Sequence, residues 1–388
     1  LEAMNCGAVV LGANTSSVPE VIGRSDALFD PHDPQAMATK MEQGLTDEAF
    51  RATLREHAAS QAKLFDWSKS AQRALAGLER LIDVRIEAPV ASRRGVRPRL
   101  AYVSPFAPER SGIASYSAEL IPYLAQHYDI ELINDLEALE DPMLAANFPL
   151  RSTTWFREHA QSFDRVLYHF GNSEFHQHMF ELLGEIPGVV VLHDFYLSGL
   201  RSYMEETGKD RLAWVQALYG SHGYPPLAER FVAKDTAKVL FAYPANFDVL
   251  AQAQGVIVHS QHSIDLARRW FVEPVSADWT LIPHLRALKH EDAHARLRIR
   301  EELGLAADDF IVCSFGIVGS TKLSLRLIET WLASPLSRSP KCHLVFVGQN
   351  DSGPYGEQVT KALAAATNIR ITGWASTQMF DQYLAAAD

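Results

Sequence analysis

From Arg99 onward the chain repeats one pattern, a short and largely apolar run followed by a longer helical stretch. The runs Leu100–Ser104, Ile130–Ile133, Arg165–Phe170, Gly188–His193, Gly255–His259 and Trp279–Ile282 carry apolar residues on neighbouring positions, not only on alternate ones. A strand of that kind is buried on both faces, and the spacers are long enough for helical crossovers. Helices are expected at Ser115–His127, Phe175–Gly184, Asp248–Gln254 and Ser263–Phe271. The alternation predicts the α/β class with doubly wound, Rossmann-like parallel sheets.

A second cycle opens near Asp309, with strands Phe310–Phe315, His343–Gly348 and Ile369–Thr372 and helices over 321–333 and Tyr355–Thr367. Three strands are few for an independent sheet of this type. Ahead of Arg99 the order is helix, a strand at Ala8–Gly12, a turn-rich stretch, and helices at Asp33–Gly44, Asp47–Leu64 and Trp67–Leu81. Residues 83–97 hold a Pro, a Gly and four arginines with weak periodicity, the composition of a linker. The domain expectation is therefore 1–82, linker 83–97, 98–288 and 289–388. Residues 289–388 read as the first half of an α/β domain and 1–82 as the last half of one. Leu1-Glu2-Ala3-Met4 reads as the interior of a helix without a cap, and Gln378–Asp388 is helical up to its last residue. That predicts a chain interrupted inside two domains. As complementary halves, the two flanks are also able to dock in permuted order.

Composition narrows the class of function. Lys and Arg number 36 against 47 Asp and Glu, a formal charge of −11, which argues against a nucleic-acid-coating protein. Cys6, Cys313 and Cys342 are too few and too scattered for a disulfide framework, so a reducing cytoplasm is expected. No apolar run reaches the length of a membrane span.

Several positions have the residue types that chemistry requires. Glu2, on a helix followed by Gly7, carries a carboxylate able to accept two hydrogen bonds from a ribose diol. Gly112 lies between a strand and a helix, where free N–H groups can meet an anion. His193 and Asp194 close an apolar strand, and ligands in open α/β sheets gather at the carboxyl ends of strands. Gly171 and Asn172 end another strand and are expected to line an acceptor cleft. His169, His176 and His178 lie close in sequence, yet with no HExxH or CxxC partner a metal is not expected. Ser260 follows a strand and begins a helix, the place of an N-cap. Gly319 and Lys322 follow the strand at Phe310–Phe315, and a Lys in a first helical turn opposes the helix dipole unless an anion is near. No GxGxxG, P-loop or Tyr-x-x-x-Lys pair occurs, which discounts a dehydrogenase, an NTPase and a Rossmann-type epimerase.

The string Leu1–Val10 with Asn14–Val21, the loop Pro105–Ser117 and the turn Ser314–Lys322 together resemble the retaining GT-B glycosyltransferases of family 4. The resemblance covers nearly the whole chain in an unusual order, as an internal piece of a tandem two-module enzyme. It implies that Glu2 is the second carboxylate of an E-x7-E motif that holds the nucleotide ribose, with the first carboxylate eight positions earlier. It implies donor contacts at Gly112, Gly319, Ser260 and Lys322, with Lys322 and the Gly112 loop near the phosphates, and a catalytic, sugar-facing role for His193 beside the acceptor-cleft residues Asp194, Gly171 and Asn172. The family usually places an Arg six positions before the Lys, where this chain has Gly316. The implied activity is metal-free transfer of a hexose, with retention, from a nucleoside-diphosphate sugar to a glycan or lipid-linked glycan. Mannose from GDP is the suggested donor, in bacterial O-antigen or capsule synthesis, with peripheral membrane attachment for a lipid-linked acceptor. The chain alone is expected to be inactive. A non-catalytic sugar-nucleotide-binding or scaffolding module is the alternative, motivated by Gly316.

Overall fold

A computed structural model describes residues 1–65, 97–232, 236–271, 278–284, 293–364 and 366–388, together with 72 and 76. They divide into two compact units, Leu1–Leu64 with Ala287–Asp388, and Phe65–Arg286. The expected helix at Trp67–Leu81 and nearly all of the expected linker 83–97 lie outside the described residues.

In chain order the strands are β1 (Gly12–Ala13), β2 (Leu28–Phe29), β3 (Arg99–Val103), β4 (Asp129–Ile133), β5 (Leu150–Arg151) and β6 (Arg165–Phe170). They continue as β7 (Val189–Leu192), β8 (Gly255–Val258), β9 (Trp279–Leu281), β10 (Phe310–Phe315), β11 (Cys342–Val347) and β12 (Ile369–Ile371).

The Phe65–Arg286 unit is built on a seven-stranded sheet in the order β5-β4-β3-β6-β7-β8-β9, parallel at every pairing. The winding reverses at the β3–β6 junction, as a doubly wound sheet requires. The expected strands of this unit all form, each within one residue at either end, because burial on both faces leaves a continuous apolar signal. Val190, Leu192, Val256 and Val258 pack with Phe170, Met179 and Leu182 from the strands and a crossover helix. The helix Gly112–Leu124 starts where the Ser111 hydroxyl accepts from the Ile113 amide, and it buries Tyr116, Leu120, Ile121 and Leu124. The helix expected at Phe175–Gly184 is shorter, a 3-10 turn at Glu174–His176 followed by Met179–Glu185.

Between β7 and β8 lie helices Ser198–Glu206, Ala213–His222, Pro225–Val232 and Ala237–Ala242, which the sequence pattern did not announce. They share a small core of Trp214, Leu218, Val239 and Ala245. The ion pairs Arg201–Asp248 and Arg230–Glu205 tie them down, with the Ser198 hydroxyl donating to the Tyr243 carbonyl at 2.6 Å.

The other unit joins the two ends of the chain. β10, β11 and β12 form a three-stranded parallel sheet, and β1 pairs with β2. Met37 and Met41, on the helix Pro34–Thr46, pack into one cluster with Val318, Ile328 and the fully buried Trp331. Arg326 donates to the Pro31 carbonyl at 2.7 Å. Asp388 is the junction: its carbonyl accepts from the Val9 amide (2.7 Å), its amide donates to the Ile311 carbonyl (3.0 Å), and its carboxylate takes Arg296, Arg300 and the Ile311 amide. The strand expected at Ala8–Gly12 is thus corrected. The Val9 amide bonds the Asp388 carbonyl, and a regular ladder begins at Gly12, opposite Leu28. The helix expected from 321 begins instead at Ser324, because Leu323 adopts a left-handed φ of 54° after a 3-10 turn at Ser320–Lys322.

A charge at Met41 reads out this joint core. Met41→Asp is expected to cost about 3 kcal/mol or more and to raise amide hydrogen exchange along Ser324–Ala333 as well as in its own helix. Exchange raised only within Pro34–Thr46 would mean that the two segments fold separately.

Candidate functional site

Parallel pairing brings the carboxyl ends of β3 to β9 to one edge of the sheet, and the polar residues of the unit collect there. β6, β7 and β8 each deliver a histidine to it. Leu192 pairs with Phe170 on one side and with Val258 on the other, so His193 and His259 leave the sheet at the same level. His169 faces Val191, two residues further back. Residues two apart share a sheet face, so the three imidazoles line up across adjacent strands.

Their contacts run nitrogen to nitrogen. His169 Nδ1 lies 3.0 Å from His193 Nε2, His193 Nδ1 lies 3.1 Å from His259 Nε2, and His259 Nδ1 lies 2.8 Å from the Ile282 carbonyl oxygen. Tyr116, from the helix Gly112–Leu124, packs edge-on against His193 and contacts the rings of His259 and His284. Tyr102 stacks on His169 at 4.6 Å. Burial holds the pKa of His169 and of His193 well below the usual histidine range, and it drives His259 down to about 3. All three are therefore neutral at pH 7. In this arrangement both ring nitrogens of His193 are already bonded to other histidines.

The other expected acceptor-side residues serve the scaffold around this row. A side chain at Gly171 would press on Ile113 Cδ1 and the His176 ring, so the glycine lets β6 end close against the helix Gly112–Leu124. Asn172 Oδ1 accepts from the Leu200 amide (2.8 Å), and Asp194 Oδ2 accepts from the Asn172 amide (2.9 Å). Gly112 is exposed with open space above it at the start of a 13-residue helix, so its backbone is approachable from solvent. Ser260 takes the N-cap position of the helix Gln261–Trp270, but its hydroxyl lies 3.5 Å from Ser263 Oγ instead of bonding a helix amide.

Along the same edge, beyond β3 and β4, a cavity of about 570 Å³ is lined by Glu109, Asn134, Asp135, Glu174, His178 and Lys209. Asp135 accepts from the Thr153 amide and hydroxyl, both at 2.7 Å. Burial raises the Glu109 pKa, while its carboxylate accepts from the Phe106 amide and from Asn134 Nδ2. Carboxylates and an amide around a cavity of this size suit a polyhydroxylated ligand.

In the unit that joins the chain ends, Lys322 departs from expectation. It precedes its helix, and its ammonium donates to the Phe315 carbonyl at 2.8 Å, an internal partner that accounts for a cation at this position. Gly316, at φ +99°, makes room for it: a Cβ there would lie 2.5 Å from Lys322 Nζ. Desolvation lowers the Lys322 pKa. Gly319 caps the 3-10 turn, and its carbonyl accepts from the Lys322 amide (3.1 Å). Glu2 lies in the first turn of a four-residue helix. Glu2, Gly319 and Lys322 thus share one unit, while His193, Asp194, Gly171, Asn172, Gly112 and Ser260 share the other. Among the described residues no group of His, Cys, Asp or Glu converges to hold a metal, and no helix is long and apolar enough to cross a membrane.

With this geometry in place, similarity to known proteins can be set beside it. Residues 1–62 match the family model described as "Glycosyl transferases group 1". The serotype-specific mannosyltransferase WbdA of Escherichia coli is 47% identical over 96 residues, which are 25% of this chain and 12% of that protein. The O-antigen chain mannosyltransferase B of Escherichia coli is 39% identical over 67 residues, 17% of this chain and 18% of that one. The matched stretches thus span less than a fifth of either relative's length. Among solved structures, Anabaena Alr3699/HepE in complex with UDP-glucose is similar at 13% identity over 75% of this chain and 72% of that chain, with a TM-score of 0.48. These matches cover only part of this chain: the family model reaches residues 1–62, and the mannosyltransferase stretches span 25% and 17% of it.

Two outcomes follow from the local physics. A side chain at Gly316 is strained and displaces the Lys322 ammonium, so Gly316→Ala is expected to lower stability by about 1–3 kcal/mol, with Lys322→Met within about 0.5 kcal/mol of the parent, both read from urea midpoints. Buried neutral histidines also make the Phe65–Arg286 unit acid-labile. His178 has a folded pKa of about 4, below its unfolded value. The unfolded chain therefore binds the extra proton between about pH 6.5 and 4. Stability is full above that window and falls through it by up to about 1.4 kcal/mol per pH unit for each such proton. His178→Gln is expected to flatten the slope in pH-resolved urea melts.

Proposed function

We propose that this chain is part of a GT-B glycosyltransferase that moves a hexose from a nucleoside-diphosphate sugar to a glycan in bacterial surface polysaccharide synthesis. One observation carries the reading: residues 1–62, which match the glycosyltransferase family, fold into one unit with β10 and the turn that holds Lys322. Glu2 and Lys322 are then the donor-binding residues of that unit, Glu2 toward the ribose and Lys322 toward the diphosphate. Within the other unit, the start of the helix Gly112–Leu124 offers open backbone N–H groups suited to an anion. Retention at the anomeric carbon, a metal-free reaction and GDP-mannose as donor belong to the same proposal, and the mannosyltransferase relatives support the choice of sugar. A lipid-linked acceptor would bring the protein to the cytoplasmic membrane surface as a peripheral protein.

The cavity bounded by Glu109, Asn134 and Asp135 supports an acceptor-side role for the Phe65–Arg286 unit. His193, Asp194, Gly171 and Asn172 surround the strand ends where the transferred sugar is expected. Since both His193 nitrogens are engaged, the ring meets a sugar through its carbon edge.

A second reading has its own observation. Gly316 stands where the family usually has Arg, and the Lys322 ammonium is partly satisfied by a carbonyl. A site with less free positive charge suits a non-catalytic module that binds a sugar nucleotide.

Calorimetric titration with GDP-mannose and GDP separates these readings from failure of both. The chain is expected to bind both ligands, Lys322→Met to weaken binding by roughly tenfold (the loss of one charge-assisted contact), and the isolated chain to form no product. Binding with no transfer in the protein extended at both ends would favour the non-catalytic module. No binding at millimolar ligand would overturn the donor-site assignment.

A further inference from the structure

The row of histidines at the ends of β6, β7 and β8 has one consistent arrangement of protons. The Ile282 carbonyl can only accept, so His259 Nδ1 carries a hydrogen. A neutral His259 then presents a bare Nε2, and the 3.1 Å contact makes His193 Nδ1 the donor. A neutral His193 has a bare Nε2 in turn, and at 3.0 Å it accepts from His169 Nδ1. The row ends at His169 Nε2, a fully buried nitrogen with no hydrogen-bond partner. Each step is forced by the one before it, starting from a backbone carbonyl.

We propose that His169 and His259 are positioning residues that lock His193 as a neutral imidazole protonated at Nδ1, so that His193 serves as a fixed platform and not as a proton acceptor or donor. The groups packed around the row are Tyr102, Tyr116, His176 and His284. Tyr102 and Tyr116 hold their protons, since burial raises both phenols. A proton added to the row finds one unoccupied lone pair, at His169 Nε2, inside the core and away from His193. The bearing of this lock on sugar transfer rests on the function proposed above; the lock itself does not.

Long-range proton–nitrogen correlation spectra of the whole chain, labelled with nitrogen-15 in histidine, read each tautomer directly. The expected result is a single Nδ1–H tautomer for His169, His193 and His259, unchanged between pH 8 and pH 5.5. In His259→Phe the His193 ring loses its acceptor and is expected to populate both tautomers. In His259→Gln a side-chain carbonyl can accept from Nδ1–H, which is expected to restore one. An Nε2–H tautomer or an imidazolium at His193 in the parent protein overturns the proposal, and so does a His193 spectrum unaltered in His259→Phe. If the variants do not fold, the parent spectrum decides alone. No donor or acceptor is added, so the spectra stand or fall independently of any transfer assay.

Discussion

Parallel pairing of β3 to β9 is the constraint on which the acceptor-side unit depends. In an antiparallel sheet, successive strands would send their carboxyl ends to opposite edges. Here every carboxyl end lies on one edge, so residues distant in sequence (Ser104, Asn134, His169, His193 and His259) become neighbours. The requirement is apolar strands on both faces, and these sequence runs meet it. Of these five residues His169 is the penultimate residue of its strand, and the other four lie just beyond theirs. Asn134 bonds the Ser104 carbonyl at 3.0 Å, the Ser104 and Ser117 hydroxyls lie 2.7 Å apart, and the histidines bond one another. Polar groups buried at such an edge must find partners or impose a cost, and the order of the strands determines which partners are available.

The unit that joins the chain ends depends on a different kind of constraint. Its apolar core is completed by residues distant in sequence, as the Arg326–Pro31 contact, 295 positions apart, illustrates. Trp331 is fully buried and donates to Asn368 Oδ1 at 3.2 Å, while Met37 and Met41 cover its cluster from the other segment. Asp388 is the polar counterpart, with its carboxylate shared between Arg296, Arg300 and the Ile311 amide. A carboxylate with that many donors is stable where an unpaired one would not be. Leu1–Leu64 itself is held in this unit by the Met37 and Met41 cluster and by hydrogen bonds at Pro31 and Val9.

Much of this was legible in the sequence, and what escaped did so for physical reasons. Doubly apolar strands announce themselves, so β3, β4 and β6 to β9 fall within a residue of expectation. β5 is two residues long and has no period to read. The helices over residues 198–242 surround a small core and leave Tyr219, Tyr224, Phe231 and Phe241 largely exposed, so apolar spacing there does not mark a buried face. At the site, His193 was found as a polar residue ending an apolar strand, but its partners were missed. The signal was present, since Tyr168-His169, Leu192-His193 and Val258-His259 each end or nearly end a strand. Reading it required strand order, because only the β6-β7-β8 adjacency makes three separate histidines a row. The sequence pattern places Lys322 in a first helical turn, and the family resemblance sets it against a diphosphate. The left-handed turn at Leu323 moved it out of that helix and onto the Phe315 carbonyl.

The two units handle charge in opposite ways, and this bears on the proposed reaction. The strand edge of the Phe65–Arg286 unit buries neutral imidazoles bonded one to the next and ending on the Ile282 carbonyl, an environment that resists a developing positive charge. The other unit keeps a cation, but Lys322 already spends one of its three N–H donors on the Phe315 carbonyl and is partly desolvated. A diphosphate leaving group needs stabilisation that grows as its charge develops, and preformed donors provide this without reorganising. Under the proposed function, with Gly316 in place of a second cation, the two remaining Lys322 donors and backbone amides carry more of that stabilisation. Backbone amides are fixed in direction and cannot follow a misplaced ligand. Under the proposed function, such a site selects its donor by the placement of phosphate oxygens more than by total charge.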